Sequence, residues 1–346
     1  MPIAYDLTFH PSWWHKHAGI DFDRPFFDDE AYRIEADVRM RRFLYDGFGA
    51  FGLGEKNPRP RPILGTDLLA CGYLYSEMLG CAIRYAADAS PEVICANLDD
   101  EAALALTAPP LDASPVWRRM QAQIDRMTAR YDHYEPQLNL MGVQNIALDL
   151  RGSRLFMDYY ENEAVAERLL SQACALSLDV GRRLRESGRP ISGGVTAIVN
   201  QTCPDVYLTS NCSVEMVSQR VYEDFLLPYD IQLARAFAPF GVHHCGATME
   251  HVVKGYARLP NLAFAEIGAG SDIAAVRAAL PGAFLNLRYS PVELRTATED
   301  ALRAKLQAMV EAAGGRDCSV SCVGIDSEVS VKTVRAFLRA AKALNA

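Results

Sequence analysis

The stretch GVHHCGATMEH, residues 241–251, holds three of the chain's seven histidines and one of its nine cysteines. An apolar run leads into it and Gly246 follows Cys245, the pattern of a strand reaching its C-terminal end. Alternate side chains of a strand share a face. His243 and Cys245 are therefore expected on one face and His244 on the other. An imidazole and a thiol two residues apart on one face are half of a zinc-binding set. His251 falls a turn and a half into the next segment, a helix-surface position, and neither it nor His244 has ligand spacing.

The other half must come from elsewhere. RDCSVSCVGIDSE (316–328) offers Cys318 at the start and Cys322 near the end of a last strand. If parallel strands bring their C-terminal ends to one face, Cys322 joins His243 and Cys245; Cys318 takes its place if the strand starts later. Three protein ligands with one open position is the pattern of catalytic zinc, whereas structural zinc is closed by four. Two thiolates and an imidazole suit Zn²⁺ better than the oxygen-seeking Mg²⁺ or Ca²⁺. Such an ion holds its thiols deprotonated and would present an incoming substrate thiol as a thiolate. The competing reading is packing. A free cysteine is commonly a small buried hydrophobe, and that is the reading for Cys71, Cys81, Cys95 and Cys174.

Positioning such a site takes a sizeable scaffold, and the chain has 346 residues, half of them hydrophobic. Short apolar runs recur at 61–65, 80–85, 143–150, 205–210, 241–246, 262–268, 283–290 and 318–325, bounded by Gly, Pro, Asn or Asp. They read as buried strands. Helical spacing fills 28–49, 161–188, 218–241 (with Pro228 predicting a kink or two helices), 271–280, 297–315 and 330–346. Strands alternating with helices predict parallel βα units. About eight of them predict an α/β fold, a (β/α)8 TIM barrel, with an N-terminal helical extension over residues 1–60 and the catalytic barrel over 61–346. A doubly wound open sheet is disfavoured because no Gly-rich dinucleotide fingerprint follows a strand. HPSWWHKH (10–17) reads as a cap on the bottom of the barrel, with a lid as the alternative.

Composition narrows the function. The formal net charge is -8, and no Lys/Arg cluster interleaves with aromatics, so nucleic acid is not an expected partner. No signal-type apolar core and no run of 18 apolar residues are visible, so the expected location is cytoplasmic, with no membrane partner. Nine scattered cysteines fit a reducing compartment rather than a disulfide framework.

Four segments carry a resemblance. These are LRGSRLFMDYYENEAVAERLL (150–170), NCSVEMVSQRVYEDFLLPYD (211–230), HHCG (243–246) and SCVGID (321–326). In order and spacing they resemble the uroporphyrinogen decarboxylase superfamily, and within it the zinc-dependent methylcobamide:coenzyme M methyltransferases. The resemblance spans roughly residues 60 to 340 and implies a single TIM barrel. It implies that His243, Cys245 and Cys322 are the zinc ligands. It further implies a methyl group moving between methylcobalamin, carried on a partner corrinoid protein, and a small-molecule acceptor such as a zinc-activated thiol. The sequence departs from the pattern at Ser321, where the family has glycine, and after Cys322, where its Pro and Asn are missing. In the segment before the 218–230 helix, Asn211, Cys212 and Glu215 are candidates to touch substrate or complete the metal sphere. Asp67 and Tyr73, after an early strand, and Arg288 are candidates to bind cofactor or a carboxylate. The alternatives are a metal-free decarboxylase, whose arginine-bearing N-terminal segment is absent here, and a non-catalytic barrel with a structural zinc closed by Cys212 or Cys318. Oligomeric state, homo-oligomers included, is left open.

Overall fold

The computed structural model describes residues 2–345. The described residues form ten strands, all but the β3–β4 pair separated by helices: β1 (Ala4–Phe9), β2 (Ile63–Gly65), β3 (Ala82–Ala86), β4 (Ala89–Ile94), β5 (Glu135–Gln137), β6 (Tyr207–Ser210), β7 (Phe240–His243), β8 (Leu262–Ile267), β9 (Phe284–Tyr289) and β10 (Cys318–Ile325). One curled, all-parallel sheet runs β6-β7-β8-β9-β10-β1. β2 and β5 form a second parallel ladder, and a bridge between Met141 and Ser210 sets the chain after β5 beside β6. These eight parallel strands make the expected barrel. Helices such as Glu163–Arg185, Glu299–Ala312 and Val331–Ala343 cover its outside. β6 and β7 are buried along their whole length, as strands between a barrel core and a helical layer must be.

Several local expectations differ from the structure. VQNIALDL is a helix, Val143–Arg151, not a strand. Its buried residues Val143, Ile146, Ala147 and Leu150 fall at helical spacing. The strand of that unit is β5, only three residues long and centred on Pro136. GCAIRY does form a strand, β3, but it pairs antiparallel with β4 in a hairpin outside the barrel. The N-terminal segment contains its expected helix, Glu30–Phe48, and also contributes β1, which pairs with β10. Pro228 acts as anticipated. A π-helical turn, Tyr222–Leu226, separates the Gln219–Val221 turn from the helix Leu227–Ala236, where the proline sits in the first turn.

HPSWWHKH does not cap the bottom of the barrel. His10 N–H donates to Ile325 O at the C-terminal end of β10 (2.8 Å), so the Pro11–Ala18 helix starts at the face that carries the strand ends. Trp13 and Trp14 are fully buried there, Trp13 stacked on Phe9 with ring centroids 4.7 Å apart. The segment is a packed wall of the barrel.

Candidate metal centre at the strand ends

β6 and β7 are neighbours, with Ser210 in register with His243. Asn211 N–H donates to His243 O (2.8 Å), extending the ladder by one bond. Both chains then turn, β6 into the short 3-10 helix Cys212–Met216 and β7 into the loop that carries Cys245. The outcome is a cluster of three donors. Cys212 Sγ, a ring nitrogen of His243 and Cys245 Sγ all lie within 4.8 Å of one another, with His243 buried and the two cysteines half-buried.

Buried charge holds the cluster in place. His243 Nδ1 lies 3.2 Å from Glu266 Oε1, and Arg288 Nε lies 3.3 Å from the same oxygen. His243 and Glu266 are register partners on β7 and β8. With Nδ1 turned to a carboxylate, Nε2 is the nitrogen left for a metal, the arrangement that fixes ring orientation in metal-bound histidines. Burial by itself would lower the His243 imidazole, but Glu266 and the Cys212 sulfur outweigh it and raise it to about 9. Cys212, beside the Cys245 sulfur and facing His243, is pulled well below the ordinary thiol value, and Cys245, beside the Cys212 sulfur and desolvated, is pushed up. Ser210 Oγ adds a contact to Cys212 Sγ at 3.3 Å. His244, on the opposite face as anticipated, lies between Tyr256 Oη and Thr248 O, and burial lowers it to about 4.

Two thiols and an imidazole, converging without a fourth protein donor in the group, fit a thiophilic ion such as zinc. The fourth direction opens into a cleft of about 350 Å³ lined by Cys71, Asn139, Asn145, Ser210, Arg288 and Val323 together with the three donors.

The anticipated residues divide. His243 and Cys245 converge, and Arg288 borders the same cleft. Cys322 stands outside the donor group. Ser319 Oγ donates to Asn286 Oδ1 and Asn286 Nδ2 to Ser321 Oγ, each at 2.9 Å, so these serines share the inner face of the barrel. By alternation Cys318 and Cys322 face the helical layer, where Cys322 is fully buried and in register with Tyr289. Cys212 stands where Cys322 was expected. Asn211 is turned away from the cleft, its Nδ2 donating to Asp230 Oδ2 (2.8 Å), an oxygen that also accepts from Tyr222 (2.9 Å). Glu215 is exposed and lies over Gly246, where a Cβ would come within 2.3 Å of its Oε2. Asp67 is engaged by Arg61 and borders a different cavity, of about 600 Å³, with Asp6 and Asn200. Tyr73 packs between Phe27 and Tyr85, at 5.4 and 6.0 Å, away from the donors. Glu266 was not singled out from sequence. Its signal was a lone acid within an apolar strand, LAFAEI, which a buried partner must explain.

No family model and no curated protein matches the chain. Solved structures do. A methyltransferase from Methanosarcina mazei superposes with a TM-score of 0.69 at 16% identity, covering 100% of this chain and 94% of that one. A B12-independent methionine synthase from Shewanella sp. W3-18-1, in complex with selenomethionine, superposes with a TM-score of 0.51 at 12% identity, covering 99% and 96%. The chain has the fold of these enzymes. It is the α/β barrel that the alternation of strands and helices in the sequence predicts. Among the described residues no helix is long and apolar enough to cross a membrane.

Proposed function

We propose that this chain is a zinc-dependent methyltransferase that activates a small thiol as methyl acceptor, with the methyl group supplied by methylcobalamin on a partner corrinoid protein. The observation that carries the reading is the convergence of Cys212, His243 and Cys245 at the C-terminal mouth of the barrel, where barrels of this type place their chemistry. The likeness in fold to two methyl-group enzymes supports it.

Zinc at these donors would supply a site where an acceptor thiol is held as thiolate at neutral pH. The chain's own residues do the rest. Cys212, His243 and Cys245 would hold the ion, the two cysteines as thiolates. Glu266 holds the His243 ring, and Arg288 neutralises Glu266. Asn139 and Asn145 line the cleft in which the acceptor would be oriented. Methylcobalamin would supply a methyl group on a leaving group able to keep the bond's electron pair, and the acceptor sulfur, its proton lost to solvent, would be the nucleophile that the cleft orients.

The deciding experiment is metal analysis of the wild type beside Cys212→Ser and Cys322→Ser, followed by transfer from free methylcobalamin to a panel of thiols. About one zinc per chain, lost in Cys212→Ser and kept in Cys322→Ser, with methylcobalamin consumed only when a thiol is present, is the expected result. A wild type that binds no zinc when supplied with it would overturn the reading in favour of a metal-free, decarboxylase-like barrel.

A further inference from the structure

Two other cysteines stand opposite each other across the hairpin. The β3–β4 register pairs Ala82 with Ile94 and Ile83 with Val93, so the next pair outward is Cys81 with Cys95. Directly opposed residues of an antiparallel pair point to the same face. Burial agrees: Ala82 and Ile94 are exposed, while Cys81 is buried and Cys95 half-buried. Cys81 N–H is donated to Ser76 O (2.9 Å). The Cys81 N–H is thus not spent on Cys95, as in a close, non-hydrogen-bonded pair, a kind whose Cα atoms lie about 4.5 Å apart. That spacing lies inside the range a disulfide spans. The two thiols also rest on consecutive carbonyls of one helix, Cys81 Sγ on Asp149 O (3.4 Å) and Cys95 Sγ on Leu148 O (3.7 Å). Neither belongs to the metal-binding group.

We propose that Cys81 and Cys95 are a redox-active pair that closes to a cross-strand disulfide when a low-molecular-weight disulfide is the oxidant. Cys95, the more accessible, attacks first. Its thiolate displaces one thiol from the oxidant and forms a mixed disulfide. Cys81, having lost its own proton, then attacks the Cys95 sulfur and releases the second thiol. Two protein thiols lose two protons and two electrons, and the oxidant takes both up as two thiols.

Closure fastens the base of the hairpin and removes both S–H donors from the Val143–Arg151 helix. The same helix presents Asn145 to the metal loop, its Oδ1 accepting from Ser213 N–H (3.0 Å) next to Cys212. The inference stands independently of the metal reading.

The test is incubation of the folded full-length protein with oxidised glutathione, alkylation of remaining thiols before unfolding, and peptide mapping without reduction. The expected result is a linked Cys81–Cys95 peptide pair, absent after reduction. In Cys81→Ser, Cys95 should instead retain glutathione, because the resolving thiol is gone. Wild-type protein in which both cysteines are recovered alkylated, or in which Cys81 is found linked to a different cysteine, would overturn the proposal. The wild-type map decides the matter even if the variant fails to fold.

Discussion

Cys212 and Cys245 stand at the same level on adjacent strand ends, because the residues two before them, Ser210 and His243, are register partners. Two adjacent strands that turn just past this last register pair bring both sulfurs to the same place. The β9–β10 ladder cannot do this for Cys322, whose inward neighbours are Ser321 and Val323.

The first prediction concerns which cysteine completes the candidate donor group. Cys212→Ser replaces a thiolate with a hydroxyl that stays protonated at neutral pH, so zinc content should fall from about one per chain to near none. Cys322→Ser changes a residue in the helical layer. It should keep its zinc while losing stability of roughly 1–3 kcal/mol, since a hydroxyl is buried among apolar neighbours. Elemental analysis and urea unfolding separate the two effects. Zinc retained in Cys212→Ser and lost in Cys322→Ser would contradict the geometry.

Glu266→Gln keeps the volume of the side chain and removes its charge. His243 then loses the carboxylate beside Nδ1, and Arg288 loses its counter-ion. Zinc affinity in competition with a chelator should weaken by about 10–100-fold, the usual effect of losing a partner behind a metal ligand. Unchanged affinity would mean that the ring is oriented by packing alone.

How much of this was readable beforehand depended on what each residue reports by itself. β6 to β10 are apolar runs with clear turn boundaries, and their strand character is a local property. β5 is Glu-Pro-Gln, a strand only because β2 lies alongside it. β1, AYDLTF, interrupts its apolar run with Asp6 and is closed into the barrel by a partner more than 300 residues away. His243 and Cys245 were legible because both sit on one strand end. The place of Cys322 was not, since it turns on which alternate face of β10 looks inward. Asn286 decides that from a neighbouring strand. Glu266 was hidden for the same reason: its role exists only across the ladder.

Asp6 gives the chain a pH dependence of its own. It borders the second cavity with Arg61 and Asp67, and burial pushes its carboxyl up to about 7 against the Leu7 N–H bond that lowers it, with Asp67 adding to the rise. The folded protein therefore keeps this proton over a range in which the unfolded chain, titrating near its ordinary value of about 4, has lost it. The stability it confers is full below about pH 4 and is lost as pH rises through about 7, by a few kcal/mol at most for a partly solvated group. Asp6→Asn should flatten that part of the profile, measured as urea unfolding free energy between pH 4 and 7. A slope unchanged in the variant would assign it to other groups.

Trp14 tests whether the N-terminal wall supports the cleft or only borders it. Its ring is fully buried, edge-on to Phe9 at 5.4 Å and to Phe43 at 6.0 Å, and Nε1 donates to Leu68 O (3.4 Å). Leu68 lies in the loop that leads to Cys71 on the cleft wall. Trp14→Ala should cost about 3–5 kcal/mol, because the cavity left by an indole cannot close completely. The three candidate donors lie at the ends of β6 and β7 and in their following segments, with no bond to Trp14, so zinc stoichiometry should stay at that of the wild type. The cleft wall should loosen instead, and Cys71 should react faster with a thiol reagent in the folded protein. Loss of zinc in a variant that still folds would show that the wall and the metal loops are mechanically one unit.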